Sequence, residues 1–288
     1  MISQNRIQSS NSIGETAFPK TLLTRLMMQA PYQPATNYWR AFELAEVIRY
    51  GFPSGRGLDL GCGDGHLMGI ILESTGTRDL VGLDVDPEET AIARARNVYH
   101  EVVTAPADHI PFGDDEFDYV FSNSVLEHIE NIDGVLREVA RVLRADGRFL
   151  FTVPGPDFHA SLRGPQSADR EAYLHAVDTR CAHLRYWSLA QWTERMEKSG
   201  LALIHCQEYL EEPQVQRWDT IARWTSGALM RVFKRKKRPI EIQRVLKIRS
   251  SRIRLPKILA SGCARLMQIG DNTPSSRFGC LLIEAKKR

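Results

Sequence analysis

The stretch GLDLGCGDGHL (57–67) places Asp59, Gly61, Gly63 and Gly65 at alternate positions, directly after a short apolar run. Glycines at this spacing suit a turn that leaves a strand, opens a helix and lets backbone approach a ligand. A tight strand-to-helix turn without a ligand would use them too. Asp84 stands 19 residues beyond Gly65, at the end of the next apolar run. Nucleotide-binding α/β folds put an acidic side chain there to meet ribose hydroxyls. The loop reads G-x-G-x-G and not the G-x-G-x-x-G of dinucleotide binders. A pyrophosphate favours a positive helix end or a cation, whereas this loop carries Asp59 and Asp64. Carboxylates suit a cationic ligand, and a sulfonium that also bears an ammonium group meets that description.

Four segments continue this signal in order: GLDLGCGDGHL, VGLDVDP (81–87), APADHIPFGDDEFDYVFSNSVLEHIEN (105–131) and EVARVLRADGRFLFTVPG (138–155). Together they resemble the class I S-adenosylmethionine-dependent methyltransferases of the methyltransferase type 11 group. The resemblance covers 55–153 closely and the last two strands loosely. It implies S-adenosyl-L-methionine as cofactor. It also implies a Rossmann-like, seven-stranded, mainly parallel sheet with helices on both faces and an antiparallel last strand. Asp59, Gly61, Gly63 and Gly65 would then hold the methionine end of the cofactor. Asp84, with Val85 beside it, would take the ribose. Ala107, Asp108 and His109 would edge the adenine. Ser122 and Asn123 would lie beside the reactive methyl. His66 departs from the small or aliphatic residue expected at its position.

Methyl transfer is an in-line displacement at carbon, so positioning supplies much of the rate. A hydroxyl acceptor also needs a base, for which histidine is suited near neutral pH. The candidates are His128, His159, His175 and His183. His128 in SVLEHIE and His159 in VPGPDFHA both follow a predicted strand at its carboxyl end, and they lead. Glu127 and His128 serve either chemistry or loop architecture. His175, Asp178, His183 and Tyr186 read as a structural link or as a further source of the base. No set of His, Cys and Asp has a familiar metal spacing, so no metal is expected.

The elements that must position these groups alternate along the chain. Apolar runs at 56–61, 79–85, 100–105, 116–124, 148–154, 201–210 and 278–287 read as seven strands. Helices are expected over 35–50, 133–143 and 188–199, the last with Ser188 as N-cap and Gly200 just past its end. In the first, Tyr38, Ala41, Phe42, Ala45 and Ile48 form the apolar stripe, widened by Leu44 and Val47. Alternation of this kind implies a parallel sheet covered on both faces. Residues 1–18 read as a mobile tail and 19–54 as an N-terminal helical segment. Residues 55–210 with 278–288 form the methyltransferase-like core, and 211–277 a basic helical insertion between strands six and seven.

The 288 residues are 43% hydrophobic and 25% charged, which excludes a disordered chain. Five dispersed cysteines without a CxxC pair suggest neither a zinc site nor a disulfide framework and fit a reducing cytoplasm. There is no apolar signal-peptide segment and no run near the roughly 18 residues of a membrane span. Residues 1–210 carry 19 Lys+Arg against 29 Asp+Glu, and residues 211–288 carry 19 against 6. The basic excess, with KRKKR at 234–238 and apolar faces within 214–267, suits a cap over the acceptor pocket. It also suits peripheral contact with an anionic membrane. Nucleic acid is disfavoured for want of a base-stacking motif. The leading expectation is methyl transfer to a small-molecule or lipid- or glycan-linked acceptor, at oxygen in preference to nitrogen. The alternatives are a non-catalytic cofactor-binding scaffold at a membrane and an RNA methyltransferase.

Overall fold

A computed structural model describes residues 12–76, 79–165, 169–227, 254–268 and 274–288. Seven strands form one sheet: β1 (Gly57–Leu60), β2 (Leu80–Asp84), β3 (Glu101–Thr104), β4 (Phe117–Asn123), β5 (Leu143–Pro154), β6 (Leu201–Glu211) and β7 (Phe278–Lys287). Their spatial order is β3-β2-β1-β4-β5-β7-β6. The apolar runs of β1, β4 and β5 are buried almost throughout, as strands covered on both faces require. β1 pairs in parallel with β2 (Leu58↔Val81) and with β4 (Leu58↔Val120). β7 alone runs the other way, wedged between β5 and β6 so that Ile283 pairs with both Phe151 and Cys206. The expected sheet and its antiparallel last strand are present.

Helices α3 (His66–Thr75), α4 (Pro87–Arg96) and α5 (Ile132–Val142) follow β1, β2 and β4. α4 begins at Pro87, with Asp86 accepting from the amides of Glu88 and Glu89. α5 buries Val135, Leu136, Val139 and Val142 in a core with Phe149, Phe151 and Trp192. After β5 come α6 (Asp157–Ser161), α7 (Arg170–Cys181) and α8 (Leu189–Lys198). Ser188 caps α8 in a reciprocal capping box with Gln191, and Gly200 takes φ +83 just beyond its end.

The opposite face is covered by α1 (Ser12–Gln29), α2 (Pro34–Tyr50), α9 (Glu212–Trp224) and α10 (Lys257–Met267). Within the tail expected over 1–18, the residues from Ser12 onward are helical, and 1–11 lie outside the described residues. Leu22, Leu23, Leu26 and Met27 of α1 are all buried, each contributing roughly 1.5–3 kcal/mol. That anchored stripe carries a helix whose first turns have a tail-like composition. α2 buries residues around most of its circumference, including the unforeseen Asn37 and Glu43, because α1, α3, α9 and β6 surround it. Within 211–277 the described residues include the helices α9 and α10. α9 meets α2 through Trp218 and Trp39, with ring centroids 5.6 Å apart. Trp218 also lies 5.3 Å from Phe158 of α6, just beyond the carboxyl end of β5. α10 packs on α1. The KRKKR run lies outside the described residues.

Candidate active site

The glycine loop hangs from the carboxyl end of β1 and is pinned to β2 by the amides of Gly61 and Cys62, which both donate to Leu83 O (2.7 and 3.0 Å). Gly61 has φ +80, and a Cβ there would stand 2.4 Å from Val125 Cγ2. Gly63, at φ +52, would meet nothing within 4 Å, so the loop offers open backbone at that point. Its amide donates to Asp84 Oδ2 (2.8 Å), while Asp84 Oδ1 accepts from Asp86 N (2.9 Å). Two backbone donors thus fix the Asp84 carboxylate between the loops after β1 and β2. Burial still raises its pKa.

Asp59 is only 4% exposed and accepts from Tyr99 Oη at 2.6 Å. Burial pushes its carboxyl up to about 7. Asp64 is spent differently: it binds Arg96 (2.9 Å) and accepts from His66 N. Burial opposes its charge, but Arg96 outweighs that and holds the pKa below the usual range. Of the two loop carboxylates, Asp59 is therefore the one a cationic ligand could use. Val85 is an exposed apolar side chain at 68%. Asp108, beside Ala107, accepts from Asn131 Nδ2 (2.7 Å), and Asn131 in turn caps α5.

The expectation for Ser122 needs correction. It is fully buried, and its hydroxyl donates to Leu60 O at 2.9 Å. It ties β4 to β1 and presents no surface to a ligand. Asn123 does reach the strand ends, where its Nδ2 donates to Glu43 Oε2 (2.9 Å). Glu43, from α2, is the main residue that sequence reasoning missed. Its buried carboxylate pairs with Arg40 and accepts from Ser124 Oγ, Thr152 Oγ1 (3.0 Å) and Tyr209 Oη (3.1 Å). Burial opposes its charge, but Arg40 and these hydroxyls hold its pKa below the usual range. Glu43 stands on the face of α2 opposite the Tyr38–Ile48 stripe, where the sequence pattern leads one to expect solvent.

Beyond β4 the chain gathers six aromatic and titratable groups from distant segments. His159 Nε2 lies 2.7 Å from Asp178 Oδ1, which also accepts from Tyr186 Oη at 2.6 Å. His183 Nδ1 lies 3.0 Å from Tyr186 Oη, and His128 Nδ1 lies 2.9 Å from Ala182 O. The His128 and His183 rings are 5.3 Å apart. Glu127 sits against both, and burial pushes its carboxyl up to about 8. Burial also drives His183 down to about 3. Of the four candidate histidines, three converge here. His175 is exposed and lines a separate cavity of about 540 Å³ with Tyr173, Arg180 and Trp224.

Residues 58–151 match the family described as methyltransferase domain. Over these residues, about a third of the chain, it is similar to the S-adenosylmethionine-dependent methyltransferases. It is 30% identical over 141 residues to malonyl-[acyl-carrier protein] O-methyltransferase from Methylococcus capsulatus, spanning 48% of this chain and 51% of that protein. It is 28% identical over 172 residues to a methyltransferase of Bacillus subtilis, spanning 57% and 63%. The matched region is thus about half to two thirds of these relatives' length. The structure of an S-adenosylmethionine-dependent methyltransferase from Thermotoga maritima shares the fold, with a TM-score of 0.53 over 93% of this chain and 99% of that one, at 14% identity. S-adenosyl-L-methionine is the family's cofactor. The open backbone at Gly63, the fixed Asp84 carboxylate and the exposed Val85 suit its amino-acid, ribose and purine portions.

Proposed function

We propose that this methyltransferase transfers a methyl group to an oxygen of a small-molecule or lipid- or glycan-linked acceptor. The observation that carries the reading is the His159–Asp178 pair at the carboxyl edge of β5. Asp178 accepts from Nε2–H of His159, which fixes the tautomer and leaves the Nδ1 lone pair to take a proton. Asp59, Gly61, Gly63 and Gly65 are assigned to the methionine end of the cofactor, Asp84 and Val85 to its nucleoside, and Ala107 and Asp108 to the adenine edge. Asn123, held by Glu43, borders the reacting centre. The cofactor supplies an electrophilic methyl on a sulfonium. His159 removes the acceptor hydroxyl proton as the new C–O bond forms and the C–S bond breaks, leaving the methyl ether or ester and S-adenosylhomocysteine. The relative from Methylococcus capsulatus is named as an O-methyltransferase, which agrees with an oxygen target.

The test is transfer of labelled methyl from S-adenosylmethionine into fractionated small-molecule and lipid extracts. His159→Ala should lower turnover by roughly 10²–10⁴ without changing S-adenosylhomocysteine affinity. Turnover within tenfold of the wild type would reject His159 as the base.

A second reading, contact with an anionic membrane, draws support from α10. Ile258 (86%) and Leu266 (66%) are exposed there beside the exposed Lys257 and Arg265, and Trp224 is exposed at 75% at the end of α9. No described helix is long and apolar enough to cross a membrane. Liposome sedimentation that requires anionic lipid and weakens with salt supports this reading. Equal sedimentation with neutral lipid refutes it.

A further inference from the structure

Glu127 is 1% exposed, and neither carboxylate oxygen meets a hydrogen-bond partner. A buried carboxylate left in this state is costly, because nothing replaces the water it lost. The nearby guanidinium groups are engaged elsewhere. Arg40 pairs with Glu43, and Arg185 donates to the carbonyls of Leu126 and Glu130. The groups that do face Glu127 Oε1 are two imidazole nitrogens, His128 Nε2 at 3.8 Å and His183 Nε2 at 4.0 Å.

The hydrogen bonds on the far side of each ring fix what those nitrogens present. Ala182 O can only accept, so His128 Nδ1 carries the proton. Tyr186 gives its single proton to Asp178, so its oxygen accepts from His183 Nδ1–H. In a neutral ring Nε2 is then a lone pair. Two lone pairs and a carboxylate converge from positions 55 residues apart, and all three groups' ligand atoms lie within 4.8 Å of one another.

We propose that Glu127, His128 and His183 form a binding site for one divalent transition-series cation of the zinc type. Two imidazoles and one carboxylate favour such an ion over calcium or magnesium. The outer hydrogen bonds to Ala182 O and Tyr186 Oη are the support that metal-ligating histidines require. Tetrahedral bonds of about 2.0–2.2 Å place ligand atoms roughly 3.3 Å apart. Small side-chain rotations would close the observed 3.8 and 4.0 Å spacings to that value. Three protein ligands leave one position open to an oxygen donor. A proton on Glu127 is the competing occupant. The site and its test stand apart from the methyl-transfer reading.

The test uses the full, tag-free chain, stripped with EDTA and titrated with Co²⁺ while visible absorption is followed, with Zn²⁺ as competitor. One Co²⁺ per chain is expected, with a low-symmetry ligand-field band that Zn²⁺ abolishes. E127Q, which is nearly isosteric, should weaken Co²⁺ binding roughly tenfold or more. H183A should do the same and H175A should not. Circular dichroism and S-adenosylhomocysteine binding verify that each variant is folded. On the unaltered chain, Zn²⁺ should protect His128, and not His175, from diethyl pyrocarbonate. No Co²⁺ uptake, equal uptake by wild type and E127Q, or no protection of His128 would overturn the site.

Discussion

Replacing Glu43 with Ala removes one acceptor from five groups at once. Arg40, Asn123, Ser124, Thr152 and Tyr209 all meet its carboxylate, and Glu43 itself has no exposed surface. Removing one partner of a buried ion pair costs about 3–5 kcal/mol, because the other charge is left without compensation. The Arg40 side chain keeps 20% of its surface, so water recovers part of that loss. Stranded buried donors cost about 1–3 kcal/mol each when nothing replaces the acceptor. These losses share one carboxylate and do not add, so the expected total stays near 3–5 kcal/mol. At about 2–4 °C per kcal/mol, the melting temperature should fall by roughly 6–20 °C. Urea unfolding should show a lower midpoint at an unchanged slope. Glu43→Gln, which keeps the shape and one acceptor, should lose less. Glu46→Ala on the same helix, paired with Arg49 at the surface, should change stability by under about 1 kcal/mol. If Glu43→Ala lost no more than Glu46→Ala, the network would contribute nothing and the reasoning would fail.

Asp84→Ala should weaken S-adenosylhomocysteine binding by about 1–3 kcal/mol in calorimetry, the scale of lost charge-assisted hydrogen bonds; unchanged affinity would remove it from the ribose. Because burial raises the Asp59 carboxyl to about 7, the ammonium end of the cofactor should bind more tightly as pH rises through 7. Asp59→Asn should flatten that dependence, and a wild-type affinity constant from pH 6 to 8 would refute the assignment. The same raised pKa has a stability consequence of opposite sense. The folded state holds the proton better than the unfolded one, so this group's contribution falls as pH rises from about 4 to about 7, and Asp59→Asn should remove that slope from urea midpoints. Gly61→Ala combines φ +80 with a contact against Val125 and should abolish cofactor binding in calorimetry, even if circular dichroism shows a folded chain.

The strands were legible as short apolar runs, and those of β1, β2, β4 and β7 are buried almost throughout, whereas β3 and β6 are half-exposed. β7 was assigned its observed span, and β1 to β4 differ from expectation only at their ends. The glycine loop and Asp84 were legible for a related reason, since backbone geometry there restricts residue type. What was not legible depends on long-range approach. Nothing in the spacing of Glu43 predicts that residues 123, 124, 152 and 209 will converge on it. Ser122 was misplaced because alternation along a strand gives two faces without saying which residue the neighbouring strand covers. Glu127 and His128 are adjacent in sequence, but His183 joins them only through the turn after α7, where Ala182 takes φ +62. The helical start of α1 was hidden by a polar composition that docking of its later turns overrides.

The wedged position of β7 also governs the order in which this protein can be completed. A ribosome releases the chain from its first residue, and every residue of the glycine loop and its acidic partners has emerged by Asn123. β5 and β6 follow, yet neither pairs with the other, and Val153 must wait for Leu281, 128 residues later. Until then two long strands each hold an open row of amides and carbonyls, the arrangement that recruits wrong partners. The cofactor half can therefore begin to order during synthesis, whereas the other half stays exposed until Phe278–Lys287 arrives between its two strands.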